Sequence, residues 1–152
     1  MAESRELVLT RLIEAPREKL FRCWSEPELL KQWFCPPPWR VTHAEIDMRT
    51  GGESVVLMRG PNGEEAPNRG VYLEVAPNAR IVFTDAFVKA WVPSEKAFML
   101  GDITFDDEGG RTRYCARVSH WSVEDKLAHE AMGFHEGWGI ATDQLEALAK
   151  TL

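Results

Sequence analysis

The clearest hydrophobic pattern of the chain lies after residue 121. Apolar residues recur there at steps of three and four, as they do on one face of an α-helix. They are Leu127, Ala131, Phe134, Trp138, Ala141, Leu145, Leu148 and Leu152. Ser122 is a suitable N-cap, and Asp125 follows in the first turn, where carboxylates are favourable. The pattern predicts one long amphipathic helix from Ser122 to the C-terminus.

Three glycines interrupt this predicted helix. Gly133, Gly137 and Gly139 each cost about 1 kcal/mol relative to alanine in a helix interior. One interpretation is a kink or a break near Gly133, and a second is close packing of the backbone against a strand. A third is that the missing side chains leave room for a ligand beside Phe134 and Trp138. We favour the first two together and keep the third as an alternative.

Short runs of aliphatic and β-branched residues dominate the chain before residue 121, and they predict strands. A first strand is predicted at 5–14, and six more at 40–48, 53–59, 69–76, 80–86, 97–106 and 111–121. Turn signals such as Asn62-Gly63 separate the six, and short connections favour antiparallel pairing. Pro16 and Pro27 open two short helices after the first strand.

The predicted elements make an α+β layer plan in which one helix covers the inner face of one sheet. A single helix does not fill a wide, twisted sheet at both of its ends. We therefore expect a cavity between sheet and helix, which the short helices and loops close. Aromatic-lined clefts of this kind are the usual ligand sites of proteins.

Composition and charge exclude several classes of protein. The 152 residues include 18 Lys and Arg against 24 Asp and Glu, a net charge of −6, and the basic residues are scattered, so neither nucleic acid nor an anionic membrane is an expected partner. The longest apolar run, Val55–Met58, is too short to span a membrane. Residues 1–6 contain no apolar signal segment, which predicts a cytoplasmic protein.

The sequence signals neither a metal site nor a catalytic motif. Cys23, Cys35 and Cys115 lack CxxC spacing, so we expect reduced thiols, no metal and no cofactor. The four histidines lack inferable partners: His129 and His135 fall on different helix faces, and His43 and His120 lie on strands. We interpret each as a surface histidine or a hydrogen-bonded core histidine.

Carboxylates give a weaker indication of chemistry. Four of them fall in otherwise apolar strands: Asp47, Glu74, Asp85 and Asp102. A carboxylate that points into an apolar pocket can act as a general acid or base. Asp47 has an alternative role, because it can accept backbone N–H bonds in the turn that follows it. The catalytic residues, if the protein is an enzyme, stay unassigned.

Aromatic residues give the better indication of a site. Trp33 and Trp39 flank a stiff triple-proline segment, and strand alternation places Met58 on one face with Ser54 and Val56. We predict that one ligand cavity is lined by Trp33, Trp39, Met58, Tyr72, Phe83, Phe98, Phe134 and Trp138. The alternative for each of them is ordinary core packing.

The long connection 86–96 carries two further aromatic residues, Phe87 and Trp91. Aromatic side chains on a loop mark a lid over a site or a contact between subunits. This connection is therefore predicted to be either a lid or the contact of a homodimer.

Several stretches together resemble a known family. They are Ala15-Pro16 before a helix with Trp24, Pro27-Glu28-Leu29 before Gln32-Trp33-Phe34, Asp47–Gly52, Met58–Gly63, Gly70–Val75, Gly110-Arg111-Thr112, and Gly137-Trp138 with Leu145. From about residue 6 to 150 the chain resembles the Bet v 1-like (START/SRPBCC) superfamily, in the group named for the C-terminal domain of the Hsp90 ATPase activator. The resemblance implies a single domain over 1–152 with a helix-grip fold. In that fold a curved antiparallel sheet of about seven strands surrounds a long C-terminal helix, with two short helices after the first strand.

The resemblance also implies an internal hydrophobic pocket, but such folds serve carriers, cyclases, hydrolases and co-chaperone domains alike. The favoured prediction is a carrier or sensor that binds a small hydrophobic molecule and is not an enzyme. A polyketide-cyclase-like enzyme that uses an inward carboxylate is the second. An Hsp90 co-chaperone-like ATPase activator is the third, and we disfavour it because a first strand near residue 6 leaves no room for the N-terminal domain of the eukaryotic co-chaperones.

Overall fold

A computed structural model of the chain describes residues 4–152. The elements follow the predicted order of one strand, two short helices, a run of strands and C-terminal helices. They are β1 Glu6–Ile13, α1 Arg17–Ser25, α2 Pro27–Leu30, β2 Arg40–Ile46, β3 Glu53–Arg59, β4 Glu65–Ala76, β5 Arg80–Thr84, β6 Phe87–Lys89, β7 Val92–Pro93, β8 Met99–Glu108, β9 Arg111–His120, α3 Val123–Ala131 and α4 Phe134–Ala149.

Seven strands form one sheet in the order β1-β9-β8-β5-β4-β3-β2, and each neighbouring pair is antiparallel. Short turns connect most neighbours, which is why antiparallel pairing prevails. The predicted seven-stranded sheet and the helix-grip fold are confirmed. The connection 86–96 differs from the prediction of a plain loop, because β6 and β7 pair within it as a small hairpin.

Strand alternation determines which side chains face the helices. In β9 every second residue is buried: Thr112, Tyr114, Ala116, Val118 and His120. The C-terminal half of α4 covers this inner face, where its buried residues Ala141, Leu145 and Ala149 share one core cluster with residues of the sheet and of α1. Apolar burial of this kind is the main stabilising contribution to the fold.

The predicted single helix after residue 121 is two helices. Ser122 caps α3 as expected, and its Oγ accepts a hydrogen bond from the Asp125 backbone N–H at 3.1 Å. Gly133 has a φ of 93°, a left-handed conformation that glycine adopts without strain, and it separates α3 from α4. The prediction of a continuous apolar face is wrong for α3, because that helix contains no buried residue and its Leu127 is 46% exposed.

Among residues 4–152 no helix combines the length and the apolar character that crossing a bilayer requires.

Candidate functional site

A cavity of about 580 Å³ lies between the sheet and the N-terminal half of α4. Its walls come from α1, α2 and the segment that follows them, from β3, β4 and β5, and from α3 and α4. All eight side chains predicted to form a ligand site border it: Trp33, Trp39, Met58, Tyr72, Phe83, Phe98, Phe134 and Trp138. The structure thus gathers them around one space, whereas their binding of a ligand stays a proposal.

The two halves of α4 pack differently against the rest of the fold. The C-terminal half packs tightly through Leu145, which is fully buried. The N-terminal half contains Gly137, where a Cβ atom would meet nothing nearer than Pro36 Cγ, 4.0 Å away. Gly137 therefore leaves room beside Phe134 and Trp138, as the third interpretation of the glycines has it. Gly139 points elsewhere, since a Cβ there would lie 3.5 Å from an Arg11 guanidinium nitrogen.

The aromatic wall on the α1 side is larger than the sequence indicated. Trp24 lies 5.0 Å from Trp33 and 5.8 Å from Phe83, centroid to centroid, and all three border the cavity. Trp24 lies on the same side of α1 as Leu20 in the helical pattern, but it was not among the predicted lining residues. Its spacing of four from the buried Leu20 was the available signal that it faces the core.

Hydrogen bonds hold the triple-proline segment and Trp33 at the edge of the cavity. The Trp33 indole Nε1 donates to the Cys23 carbonyl oxygen at 3.0 Å. Gln144 of α4 donates through its amide nitrogen to the carbonyl oxygens of Trp33 and Cys35, at 3.0 and 3.1 Å. The wall between α2 and β2 is therefore fastened to α4 by two hydrogen bonds and to α1 by one.

The lining residues that solvent reaches mark the mouth of the cavity. Met132, at the junction of α3 and α4, is 76% exposed, and Asn68 and Arg69 of β4 are exposed as well. The mouth therefore lies between the α3–α4 junction and the start of β4. A ligand that enters there passes the least firmly packed helix of the fold, α3.

Two tyrosines place hydroxyl groups in this otherwise apolar region. Burial raises the pKa of Tyr72 to about 12, and burial also raises the pKa of Tyr114 above its ordinary value. Both phenols border the cavity and stay protonated at neutral pH. They can therefore donate hydrogen bonds but are unsuited to act as bases.

A histidine pair lies at the α3 side, and the sequence reasoning missed it. His120 Nε2 of β9 is 2.9 Å from His129 Nδ1 of α3, and His129 borders the cavity. Burial, and secondarily the charge of His120, lowers the pKa of His129 to about 4. His120 is 3% exposed and hydrogen-bonded, in agreement with the prediction of a hydrogen-bonded core histidine, whereas the contact between the two rings was not predicted. Alternation along β9 indicates that His120 lies on the inner face, but no sequence pattern indicates how α3 lies against that strand.

Three of the four carboxylates considered for catalysis point away from the cavity. Asp102 and Glu74 pair with the guanidinium of Arg80, at 2.7 and 3.1 Å, and Asp47 pairs with Arg49 at 2.8 Å. None of the three borders the cavity, so the expectation of an inward carboxylate is wrong for them.

Asp85 is the carboxylate of this set that borders the cavity. Its Oδ1 accepts hydrogen bonds from the backbone N–H groups of Phe98 and Met99, at 2.9 and 3.2 Å. These bonds fasten the end of β5 to the start of β8. Through these contacts the Asp85 carboxylate stabilises the cavity wall.

The β6–β7 hairpin lies away from the cavity, since none of the residues 86–96 borders it. This placement contradicts the lid interpretation of the connection. Phe87 and Trp91 contact each other with ring centroids 5.5 Å apart, and Trp91 is 55% exposed. The subunit contact of a homodimer stays a prediction, which sedimentation of the Trp91→Ala variant would measure.

Within the described range, 4–152, no three His, Cys, Asp or Glu side chains come together in a way that could hold a metal ion. The three cysteines are free, and burial raises the pKa of the Cys23 thiol to about 11. That thiol is a core side chain rather than a nucleophile.

Fold and site together define a class: an α+β helix-grip domain that encloses an apolar cavity. Comparison with known proteins is consistent with that class. The model of the family described as "Activator of Hsp90 ATPase homolog 1-like protein" matches residues 14–150, and the chain belongs to this family. The Bet v 1-like fold of the family is one that binds ligands in general. No curated protein matches the chain significantly.

Solved structures resemble the chain over nearly its whole length. A protein from Nitrosomonas europaea is 38% identical, with a TM-score of 0.94 over 99% of this chain and 97% of that one. A protein from Mycobacterium smegmatis is 25% identical, with a TM-score of 0.80 over 95% and 90%. An AHSA1-like protein from Aeromonas hydrophila, at 18% identity and a TM-score of 0.74 over 96% and 92%, shares the fold.

Proposed function

We propose that this protein binds a small, largely apolar molecule in the cavity between its sheet and α4, as a carrier or sensor. The observation that supports the proposal is a cavity of about 580 Å³ whose lining is predominantly aromatic and aliphatic. Cavities of roughly 300–1,000 Å³ with such walls are typical of small-molecule sites.

The charges of the lining favour an uncharged ligand. Among the described residues that border the cavity, Arg69 and Asp85 carry charge at neutral pH. Arg69 is exposed at the mouth, and Asp85 already accepts two backbone hydrogen bonds. An ion deep in the cavity would lack a partner for its charge, which is costly in an apolar environment.

Apolar burial is sufficient to account for affinity. Removal of apolar surface from water contributes about 25 cal/mol per Å², so a ligand that buries about 300 Å² gains about 7.5 kcal/mol before the costs of association. A compound of two or three fused rings presents a surface of this order. The tryptophans that wall the cavity provide edge and face contacts for such rings.

A titration with N-phenyl-1-naphthylamine, a neutral dye that fluoresces in apolar surroundings, tests the proposal. We expect saturable binding to the wild-type protein. Trp39→Ala removes part of the wall, and we expect the Kd to rise about tenfold. Trp91→Ala is the matched control, because it removes an exposed tryptophan outside the cavity and leaves the Kd unchanged. Dye that does not saturate, or that both variants bind equally well, contradicts the proposal.

Native mass spectrometry of freshly purified protein tests the same proposal without a chosen probe. A retained small molecule adds a discrete mass to the intact chain, and denaturation releases it. We expect Trp39→Ala to retain less of this mass than Trp91→Ala. Equal retention by both variants would place the molecule outside the cavity.

Asp85 supports a second candidate function, an enzyme that transfers a proton within the cavity. The observation in its favour is that this carboxylate borders the space that the ligand would occupy. Turnover of a bound compound that disappears in Asp85→Asn while binding persists would establish it. The third alternative, activation of the Hsp90 ATPase, rests on the family name alone, and we do not propose it.

A further inference from the structure

The hydrogen bonds of the histidine pair determine where its protons lie. His120 Nδ1 is 2.9 Å from the carbonyl oxygen of Arg5, which can only accept a hydrogen bond. His120 Nδ1 must therefore carry a proton. In the neutral ring the other nitrogen, Nε2, then has a free lone pair.

This lone pair determines the tautomer of the second ring. His120 Nε2 is 2.9 Å from His129 Nδ1, so His129 donates from Nδ1 and keeps its own lone pair on Nε2. Burial lowers the pKa of His129, which keeps its ring neutral and favours this arrangement. The result is a directional chain that runs from the Arg5 carbonyl through both imidazoles and ends on an acceptor nitrogen.

The free end of this chain is at the cavity. His129 borders the cavity and His120 does not, so the pair reaches the cavity through the His129 ring. The rings of Phe98 and Phe134 lie 5.2 and 5.1 Å from it, and that of Trp138 lies at 6.4 Å. Among the described residues, His129 Nε2 has no hydrogen-bond partner within the protein. A strong acceptor is thus left unused in an aromatic environment.

We propose that the ligand carries a hydroxyl group of phenol or enol type, which donates a hydrogen bond to Nε2 of His129. This inference rests on the proposed function and specifies the ligand class of the same cavity. A carboxylate would bring its negative charge against the lone pair of Nε2, and an ammonium group would have to be desolvated. A neutral hydroxyl on a ring system satisfies both the lone pair and the apolar walls. His120 acts as a positioning residue, because it sets the tautomer of His129.

Two matched probes separate the hydroxyl from the ring that carries it. 2-Naphthol and 2-methoxynaphthalene share a bicyclic ring, but only the first can donate a hydrogen bond. A net hydrogen bond in a buried site changes affinity by about five- to tenfold. We expect 2-naphthol to bind the wild-type protein tighter than 2-methoxynaphthalene by that factor.

His129→Phe keeps a planar ring at this position without the acceptor nitrogen, and we expect the preference for 2-naphthol to be lost. His135→Phe is the matched control, because His135 contacts Glu130 at 3.0 Å, lies outside the cavity lining, and should leave the preference intact. Comparison of the two probes within each variant cancels their different hydration. Circular dichroism verifies that each variant is folded.

The protonation of His129 can also be measured directly in the wild-type protein, without any variant. In wild-type protein with ¹⁵N-labelled histidine, the Nε2 resonance of His129 should show an unprotonated nitrogen that shifts when 2-naphthol binds and not when 2-methoxynaphthalene binds. If both probes bind equally and Nε2 does not respond, the hydroxyl inference is overturned while the apolar site stands. If neither probe binds, the proposed function fails and the inference fails with it.

Discussion

Gly137 offers the sharpest test of the cavity, because it is a place where a larger side chain has space available. A Cβ atom at this position would meet only Pro36 Cγ at 4.0 Å, and the residue borders the cavity within α4. Gly137→Leu should therefore send four carbon atoms into the space that a ligand would occupy. Gly137→Ala adds a single methyl group and serves as the intermediate step.

The expected stability of these variants follows from helix propensity and burial. Alanine is about 1 kcal/mol more favourable than glycine in a helix interior, which corresponds to a rise in Tm of roughly 2–4 °C for a chain of this size. The leucine side chain adds apolar burial at about 0.8 kcal/mol per CH₂ when it is fully enclosed. Both variants should thus unfold at a higher temperature than the wild-type protein.

The expected effect on binding has the opposite sign. A ligand that the leucine deprives of about 60 Å² of apolar contact loses about 1.5 kcal/mol, or slightly more than tenfold in Kd. The dye titration and a thermal melt monitored by circular dichroism measure the two effects on one sample. Gly139→Ala is the matched control, because it should change helix stability without touching the cavity.

The combination of a higher Tm and a weaker Kd is the signature of a filled cavity. A Gly137→Leu variant that melts higher and binds the dye as tightly as the wild-type protein would show that the dye site is elsewhere. A variant that melts well below the wild-type protein would show that the space beside Gly137 is already filled. Either result refutes the reasoning from the cavity.

Three further predictions concern the walls of the cavity. Folding lowers the pKa of His129 from 6.5 to about 4, so the folded chain binds a proton at this ring less readily than the unfolded chain does. The neutral His129 ring therefore contributes about 1–2 kcal/mol to the free energy of unfolding, after allowance for solvent screening. This contribution is present above pH 6.5 and is lost as the pH falls toward 4. The difference in urea unfolding between the wild-type protein and His129→Phe at pH 7 and 4.5 measures it, and a pH-independent difference contradicts it. Gly101→Ala places a methyl group 2.4 Å from the Phe83 ring, which must then shift. We expect the free energy of unfolding, measured in urea, to fall by about 1–3 kcal/mol. An unchanged free energy of unfolding would mean that the ring is free to move. Asp85→Ala removes the acceptor for two backbone N–H groups. It should lower the free energy of unfolding by about 1–3 kcal/mol and speed amide hydrogen exchange at the start of β8. Asp85→Asn keeps an oxygen there and should lower the free energy of unfolding by less.

Local patterns in the sequence were sufficient for most of the elements and for their order. Ser122 predicted the start of α3, and the short turns predicted an antiparallel sheet, because both are properties of a few neighbouring residues. The periodicity after residue 121 was ambiguous, since a period of 3.6 continues in register across Gly133 even though the helix breaks there. Gly133 was the one local sign of the break.

Polar partners were the part that local patterns could not supply. Glu74, Asp102 and Asp85 all lie in otherwise apolar strand segments of the sequence. In the structure, however, Arg80 pairs with Glu74 and Asp102, and of the three only Asp85 borders the cavity. His120 and His129 are nine residues apart, and their contact depends on how α3 lies against β9. Such contacts follow from the angle between elements, which no spacing along the chain encodes.

Sequence alone determined the α+β order of elements, because burial patterns repeat with the period of each element, and the resemblance to a known family implied the helix-grip fold. Only the tertiary structure decided that the C-terminal half of α4 is packed while its N-terminal half faces an open space. The difference arises because a cavity is the volume that several elements jointly fail to fill. That volume depends on the positions of α1, α3, α4 and the sheet together. A single residue such as Gly137 contributes to the cavity only because these elements surround it.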